Sequence, residues 1–159
     1  MSVDNLAKRL LAAVETYRLE GITFLGGEPL LQAQGLSAMA KVARDAGLTV
    51  MLFPGFTLEE CRSNPLPGVE ELLALADVLI DGPYIADRPE SLRNWIGSAN
   101  QRFHYFTGAY GPEIETSPLY RGQIEIRAEE DVVSMNGSPV VLPLDFMLKA
   151  QDGQCAKEE

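Results

Sequence analysis

Three short segments of the 159-residue chain combine glycine and proline, two of them with a carboxylate, as ligand-binding turns do: Gly26-Gly27-Glu28-Pro29, Pro54-Gly55-Phe56 and Asp81-Gly82-Pro83-Tyr84. Paired glycines reach backbone conformations closed to other residues and leave peptide carbonyls unshielded by a Cβ. With the Glu28 carboxylate beside them, such carbonyls suit a bound ammonium group. Taken alone, Gly-Gly-Glu-Pro is equally a plain strand-to-helix turn, and four residues leave both readings open. Cys61 and Cys155 are the only cysteines and form no CxxC pair, so neither a disulfide framework nor a zinc module is indicated, and both read as incidental. His104, the only histidine, is flanked by Phe103 and Tyr105 and reads as a packed or surface side chain rather than a general base. Glu113, Glu115, Glu129 and Glu130 read as solvated loop charges. Trp95, Phe103, Tyr105 and Phe106 read as core packing rather than a stacking platform. Asn100, Gln101 and Arg102 are either a partner-facing polar set or the polar residues that a turn into a strand needs in any case.

The three glycine turns need strands to carry them. Leu6, Ala7, Leu10, Leu11, Val14 and Tyr17 recur at three- and four-residue steps, an amphipathic helix that Ser2 can cap and Gly21 can end. Residues 22–25 then read as a strand buried on both faces. Leu36, Met39, Ala40, Val42, Ala43 and Ala46 predict a second helix that stops at Gly47, followed by a strand over residues 48–53. Thr57 and Glu60 form a capping box for a short helix, Pro67-Gly68 interrupts, and residues 69–76 lead into a strand over 78–80. Helix, glycine and strand thus alternate three times, which argues for an α/β fold with parallel strands. Each glycine turn follows a strand, at the end where such folds bind ligands. A fourth helix is expected from Asp87, with Pro89 in its first turn and Leu92 and Trp95 facing inward, then a strand over 102–106 and a connecting loop over 108–120. Alternation over residues 123–127 and the run 131–135 into Asn136-Gly137 predict a small antiparallel hairpin. Residues 150–159 are polar and aperiodic and read as a frayed tail.

Composition bounds the function. With 46% hydrophobic and 23% charged residues the chain can bury a core. Thirteen Lys and Arg against 23 Asp and Glu give a formal charge of −10, and no basic stripe offsets it, so a nucleic-acid partner is not expected. Apolar runs are far shorter than a membrane span and no signal-peptide layout opens the chain, so the expectation is a cytoplasmic protein without membrane contact. Neither GxGxxG nor GxxxxGK[ST] is present, which disfavours a small nucleotide-binding α/β protein.

Taken in order, GITFLGGEPLLQ, a helix, LTVMLF, a Gly-aromatic-Thr step, ADVLIDGPY and GSANQRF resemble the radical S-adenosylmethionine activating enzymes, most closely the activators of anaerobic ribonucleotide reductase and related glycyl-radical activases. The likeness covers about residues 22–106. It implies a partial (β/α) barrel holding a 4Fe-4S cluster and S-adenosylmethionine, and a glycyl-radical enzyme such as anaerobic ribonucleotide reductase as partner. Gly26, Gly27 and Glu28 would contact the methionine amino group, Pro29 would shape the turn, and Gly55, Asp81 and Gly82 would line the same rim. The family's cluster is held by a CxxxCxxC loop ahead of the Gly-Gly-Glu-Pro strand, and this chain has no cysteine before Cys61. Pro54 stands where members often have Thr, and Ile96 where an Arg is common. The resulting expectation is an N-terminally truncated barrel, missing the first βα unit, over residues 1–107, with a loop and hairpin over 108–149 and a tail over 150–159. Such a protein would lack its cluster ligands, fail at radical catalysis as given, and self-associate through the strand left at the sheet edge. The alternative is a cluster-less binding or regulatory module derived from the same family.

Overall fold

The computed structural model describes residues 2–63, 65–121, 124–129 and 132–137. The chain forms two compact units, Met1–Ser117 and Pro118–Glu159. The expected tail over 150–159, with Cys155, lies outside the described residues, as does Glu130.

In the first unit, helix α1 (Val3–Thr16) starts at Ser2, whose Oγ accepts the Asn5 N–H at 3.3 Å. Leu10 and Val14 pack on the core, while Leu6 and Leu11 on the flanks stay exposed. The helix ends five residues before Gly21, because Tyr17 takes an extended backbone. Gly21 instead opens strand β1 (Gly21–Phe24). Helix α2 (Ala33–Asp45) buries Ala33, Ser37, Met39, Ala40 and Ala43, and its small residues let it lie close to the sheet. Gly47, in the left-handed region at φ +78, turns the chain into β2 (Thr49–Leu52). The capping box forms as read: Glu60 Oε2 accepts the Thr57 N–H at 2.7 Å and Thr57 Oγ1 accepts the Glu60 N–H at 3.3 Å, starting α3 (Leu58–Ser63). Helix α4 (Val69–Leu75) then leads to β3 (Val78–Asp81), which is buried throughout.

The sheet runs β1-β2-β3-β4, with β4 spanning Arg102–Tyr105. β1 and β2 are parallel from Gly21↔Thr49 to Phe24↔Leu52, and β2 and β3 are parallel through Met51↔Val78 and Leu52↔Leu79. β1 is half-buried rather than buried on both faces, because the described residues place no strand outside it. The expected fourth helix does not form. Residues 88–99 make a loop closed by an antiparallel bridge between Pro89 and Ser98, with Leu92 69% and Trp95 38% exposed and Trp95 at φ +60. No crossover helix joins the two strands, and β4 pairs with β3 antiparallel, Val78↔Tyr105 to Asp81↔Arg102. Trp95 is therefore no core residue, whereas Phe103 and Tyr105 stack at 6.1 Å and Phe106 packs on the core.

The core centres on Val50, Leu52, Leu72 and Leu79 between sheet and helices. Residues 108–117 stay with this unit: Asn94 Nδ2 donates to the Ile114 and Ser117 carbonyls at 2.8 and 2.9 Å, and Tyr105 Oη donates to Glu115 at 3.0 Å. Glu115 is thus a hydrogen-bond partner rather than a purely solvated charge. In the second unit β5 (Ile124–Glu129) pairs antiparallel with β6 (Val132–Gly137), so the expected hairpin exists. The pairing runs from Ile124↔Gly137 to Glu129↔Val132, so Asn136-Gly137, expected as a turn, lies within β6 opposite Glu125 and Ile124. The strand pairing has overridden the local turn preference there.

Candidate functional site

The turns after β1, β2 and β3 meet at one end of the sheet and are hydrogen-bonded in series. Gly26 and Gly27 hold φ +77 and +52, a left-handed pair that side chains rarely adopt. Glu28 caps a 3₁₀ turn over Pro29–Gln32: its Oε1 accepts the Leu30 N–H at 3.0 Å. Pro29 occupies the first position of that turn and is buried. The second carboxylate oxygen, Oε2, accepts the Gly55 N–H at 2.9 Å from the turn after β2. The Phe56 carbonyl accepts the Gly82 N–H at 3.1 Å from the turn after β3. Beyond it, Gln101 Nε2 donates to the Gly82 carbonyl at 3.3 Å and Asn100 Nδ2 to the Pro83 carbonyl at 2.8 Å. Gln101 Oε1 in turn accepts the Gly97 and Ser98 N–H groups at 2.9 and 3.2 Å.

The structure therefore brings Gly26, Gly27, Glu28, Pro29, Gly55, Asp81 and Gly82 to the same rim, but it points their side chains differently from expectation. Glu28 faces its neighbouring turns, and Asp81 faces the interior. Asp81 is fully buried and accepts from the Leu58 N–H at 2.7 Å and from Arg102 Nε and Nη2 at 3.1 and 2.7 Å. His104 Nε2 lies 2.9 Å from Asp81 Oδ2 without the angular geometry of a directed hydrogen bond. Burial raises the Asp81 pKa, yet Arg102, the Leu58 amide and His104 together outweigh it and hold the carboxyl below the usual aspartate range. Arg102 also pairs with Glu59 at 2.6 Å. Asn100, Gln101 and Arg102 thus all serve the turn and the strand behind it.

Sequence reasoning missed a second buried carboxylate, Asp77, at the other end of β3. It accepts from Arg44 Nη1 at 2.6 and 2.7 Å, the Val50 N–H at 2.8 Å and Thr107 Oγ1 at 2.6 Å. Burial raises its pKa, and these donors bring it below the ordinary value. A charge at the mouth of a strand read as wholly apolar was the available signal, since such a charge has to be paired.

Cys61 lies in α3, 4% exposed, against an apolar cavity of about 370 Å³ that Leu30, Phe56, Leu66 and Val69 also line. Burial pushes its thiol up to about 11, so it is neutral at physiological pH. A 4Fe-4S centre needs several thiolates together. The chain holds two cysteines in all, and among the described residues no group of three or more His, Cys, Asp and Glu could hold a metal. The donor set of this chain does not fit such a cluster.

A family model described as a 4Fe-4S single cluster domain matches residues 1–104. The anaerobic ribonucleoside-triphosphate reductase-activating protein of Vibrio cholerae is 30% identical over 111 residues, covering 65% of this chain and 68% of the relative. That of Pasteurella multocida is 34% identical over 112 residues with the same coverage, and that of Enterobacteria phage T4 is 30% identical over 103 residues, 62% of this chain and 61% of the relative. No solved structure matches the chain at a significant level. Among the described residues no helix is long and apolar enough to cross a membrane. The matched stretch contains the whole glycine-turn rim, and on it the chain belongs to the 4Fe-4S single cluster domain family, with the anaerobic ribonucleoside-triphosphate reductase-activating proteins as its relatives.

Proposed function

We propose that the chain is an activase-type protein of the anaerobic ribonucleotide reductase system, whose β1–β3 rim binds S-adenosylmethionine and whose partner is the reductase, a glycyl-radical enzyme. The observation that carries this reading is the left-handed Gly26–Gly27 turn, open at Gly26 where an added Cβ would meet nothing within 4 Å, in a chain of this family. Unshielded carbonyls there suit the methionine ammonium, and Gly55 and Gly82 continue the same small-residue rim. The consecutive parallel order β1-β2-β3 supports a partial (β/α) barrel, since a doubly wound sheet reverses its strand order at the ligand crevice.

No radical-forming step is assigned to the chain, because its two cysteines cannot anchor the cluster that such a step needs. That shortage favours a second reading within the same family, a cluster-less module that binds the reductase and regulates it. One anaerobic experiment addresses both: titrate S-adenosylmethionine into the chain and into Gly27→Val, and add iron and sulfide in parallel. Saturable binding by the parent, abolished in Gly27→Val under conditions where that variant, lowered in melting temperature by the left-handed backbone at 27, is still folded, is the expected result. Absence of binding by the parent would overturn the rim reading. Stoichiometric redox-active iron would overturn the cluster-less one.

A further inference from the structure

Both oxygens of the Glu28 carboxylate are engaged by the turns that flank it: Oε1 accepts the Leu30 N–H and Oε2 the Gly55 N–H. The second contact is crowded by any side chain at 55, because a Cβ there would sit 3.2 Å from Glu28 Oε2 and the carboxylate would have to give by a few tenths of an ångström. The Gly55 φ lies outside the left-handed region, so space and not backbone conformation is what position 55 supplies. Through Gly55 the carboxylate also reaches Phe56, whose carbonyl holds the turn after β3 by way of Gly82. Hydrogen bonds from backbone N–H groups to a carboxylate are among the stronger ones a protein makes, and two on one side chain lock two turns together.

From this geometry we infer that Glu28 is a positioning residue, a clamp that holds the Gly26–Gly27 turn against the Gly55 turn, and not a direct ligand of the bound ammonium group. The inference rests on the reading of the rim as the S-adenosylmethionine site. Ligand contact then belongs to the backbone of the glycine pair, and Glu28 keeps that backbone at the right distance from its neighbours. A direct ligand would have to share carboxylate oxygens that already accept from the amides of two turns.

The test uses the whole chain with three variants: Glu28→Gln, Gly55→Ala and the double substitution. The first readout is amide hydrogen exchange in the ligand-free protein. The clamp predicts that exchange at Leu30 and Gly55 rises about tenfold or more in Glu28→Gln, as expected when a strong hydrogen bond of about 1.5–3 kcal/mol is weakened, while the β2 and β3 amides keep their protection. Unchanged exchange at both positions overturns the clamp, whatever the ligand does. The second readout is S-adenosylmethionine affinity. The clamp predicts weakening by roughly five- to twentyfold in each single variant and no further loss in the double, the signature of two residues acting through one contact. If Gly55→Ala loses amide protection at Leu30 and residue 55 yet binds like the parent while Glu28→Gln loses affinity, Glu28 is a direct ligand and the inference fails. If the parent itself binds nothing, the rim reading fails and the exchange arm alone decides the clamp.

Discussion

At the scale of single residues, β3 is held at both ends by a buried carboxylate, and each makes stability depend on pH in a stated direction. Asp77 and Asp81 both have folded-state pKa values below the ordinary aspartate value. A depressed carboxylate contributes stability that is complete above its unfolded pKa, about 3.9, and is lost as pH falls through the lower folded value. The chain should therefore hold its stability from neutrality down to about pH 4 and lose it steeply below. Asp81→Asn should cost about 3 kcal/mol at pH 7 by leaving buried donors mismatched, and it should flatten the acid limb of the curve. Urea melts of parent and variant from pH 3 to 7 check both. Cys61 shifts the other way: buried and with its thiol raised to about 11, it should react with iodoacetamide at pH 8 at least about a hundredfold more slowly than an unfolded thiol. Intact-mass kinetics in a Cys155→Ser background, with and without urea, measure that ratio.

At the scale of elements, two joints carry more than their length suggests. Gly68 starts α4 at φ +87, and a Cβ there would lie 2.8 Å from the Gln34 backbone nitrogen of α2. Ser37 Oγ, buried in α2, has the Ala33 carbonyl at 2.7 Å and the Gly68 carbonyl at 3.1 Å as acceptors for its one proton, and so lies in the same joint. Gly68→Ala meets both a conformational and a steric penalty and should lower stability by about 2–3 kcal/mol, read as a drop of about 5–10 °C in melting temperature. The loop over 88–99 is the other joint. It has no helical backbone of its own and is tied down by Asn94, whose amide caps the Ile114 and Ser117 carbonyls. Asn94→Ala should cost about 1–3 kcal/mol and should raise hydrogen exchange in residues 90–97 before the sheet loosens.

For the whole molecule, the consequence lies at the sheet margin. β1 has no neighbour on its outer side among the described residues, carries no charge, and is followed by Leu25 at 68% exposure. Uncharged, unprotected edges of this kind pair with other chains. Sedimentation velocity at rising concentration should show reversible association, and Thr23→Lys, which puts a charge on the exposed position of β1, should suppress it without changing the melting temperature. A monodisperse monomer for the parent at all concentrations would contradict the edge argument.

The order of helices and strands as far as β3, the capping box at Thr57 and Glu60, and the placement of three glycine turns at one end of the parallel strands were legible in the amino-acid order, because each depends on periodicity or on a few adjacent residues. So was the shortage of thiolates, which is a matter of counting. What the local pattern could not convey was anything set by a distant partner. Leu92 and Trp95 have helical spacing, yet Asn94 finds its hydrogen bonds at Ile114 and Ser117, the segment folds as a loop, and β4 runs antiparallel to β3. Asn136-Gly137 has the best turn chemistry in the chain, but the register of β5 against β6 absorbs it. Glu28 and Asp81 could be placed on the rim from sequence, whereas the direction each side chain faces was decided by amides at Leu30, Gly55 and Leu58 and by Arg102, which only the tertiary fold brings within reach. Periodicity reports which face of an element is buried, and the partner of a polar group is settled only when the elements pack.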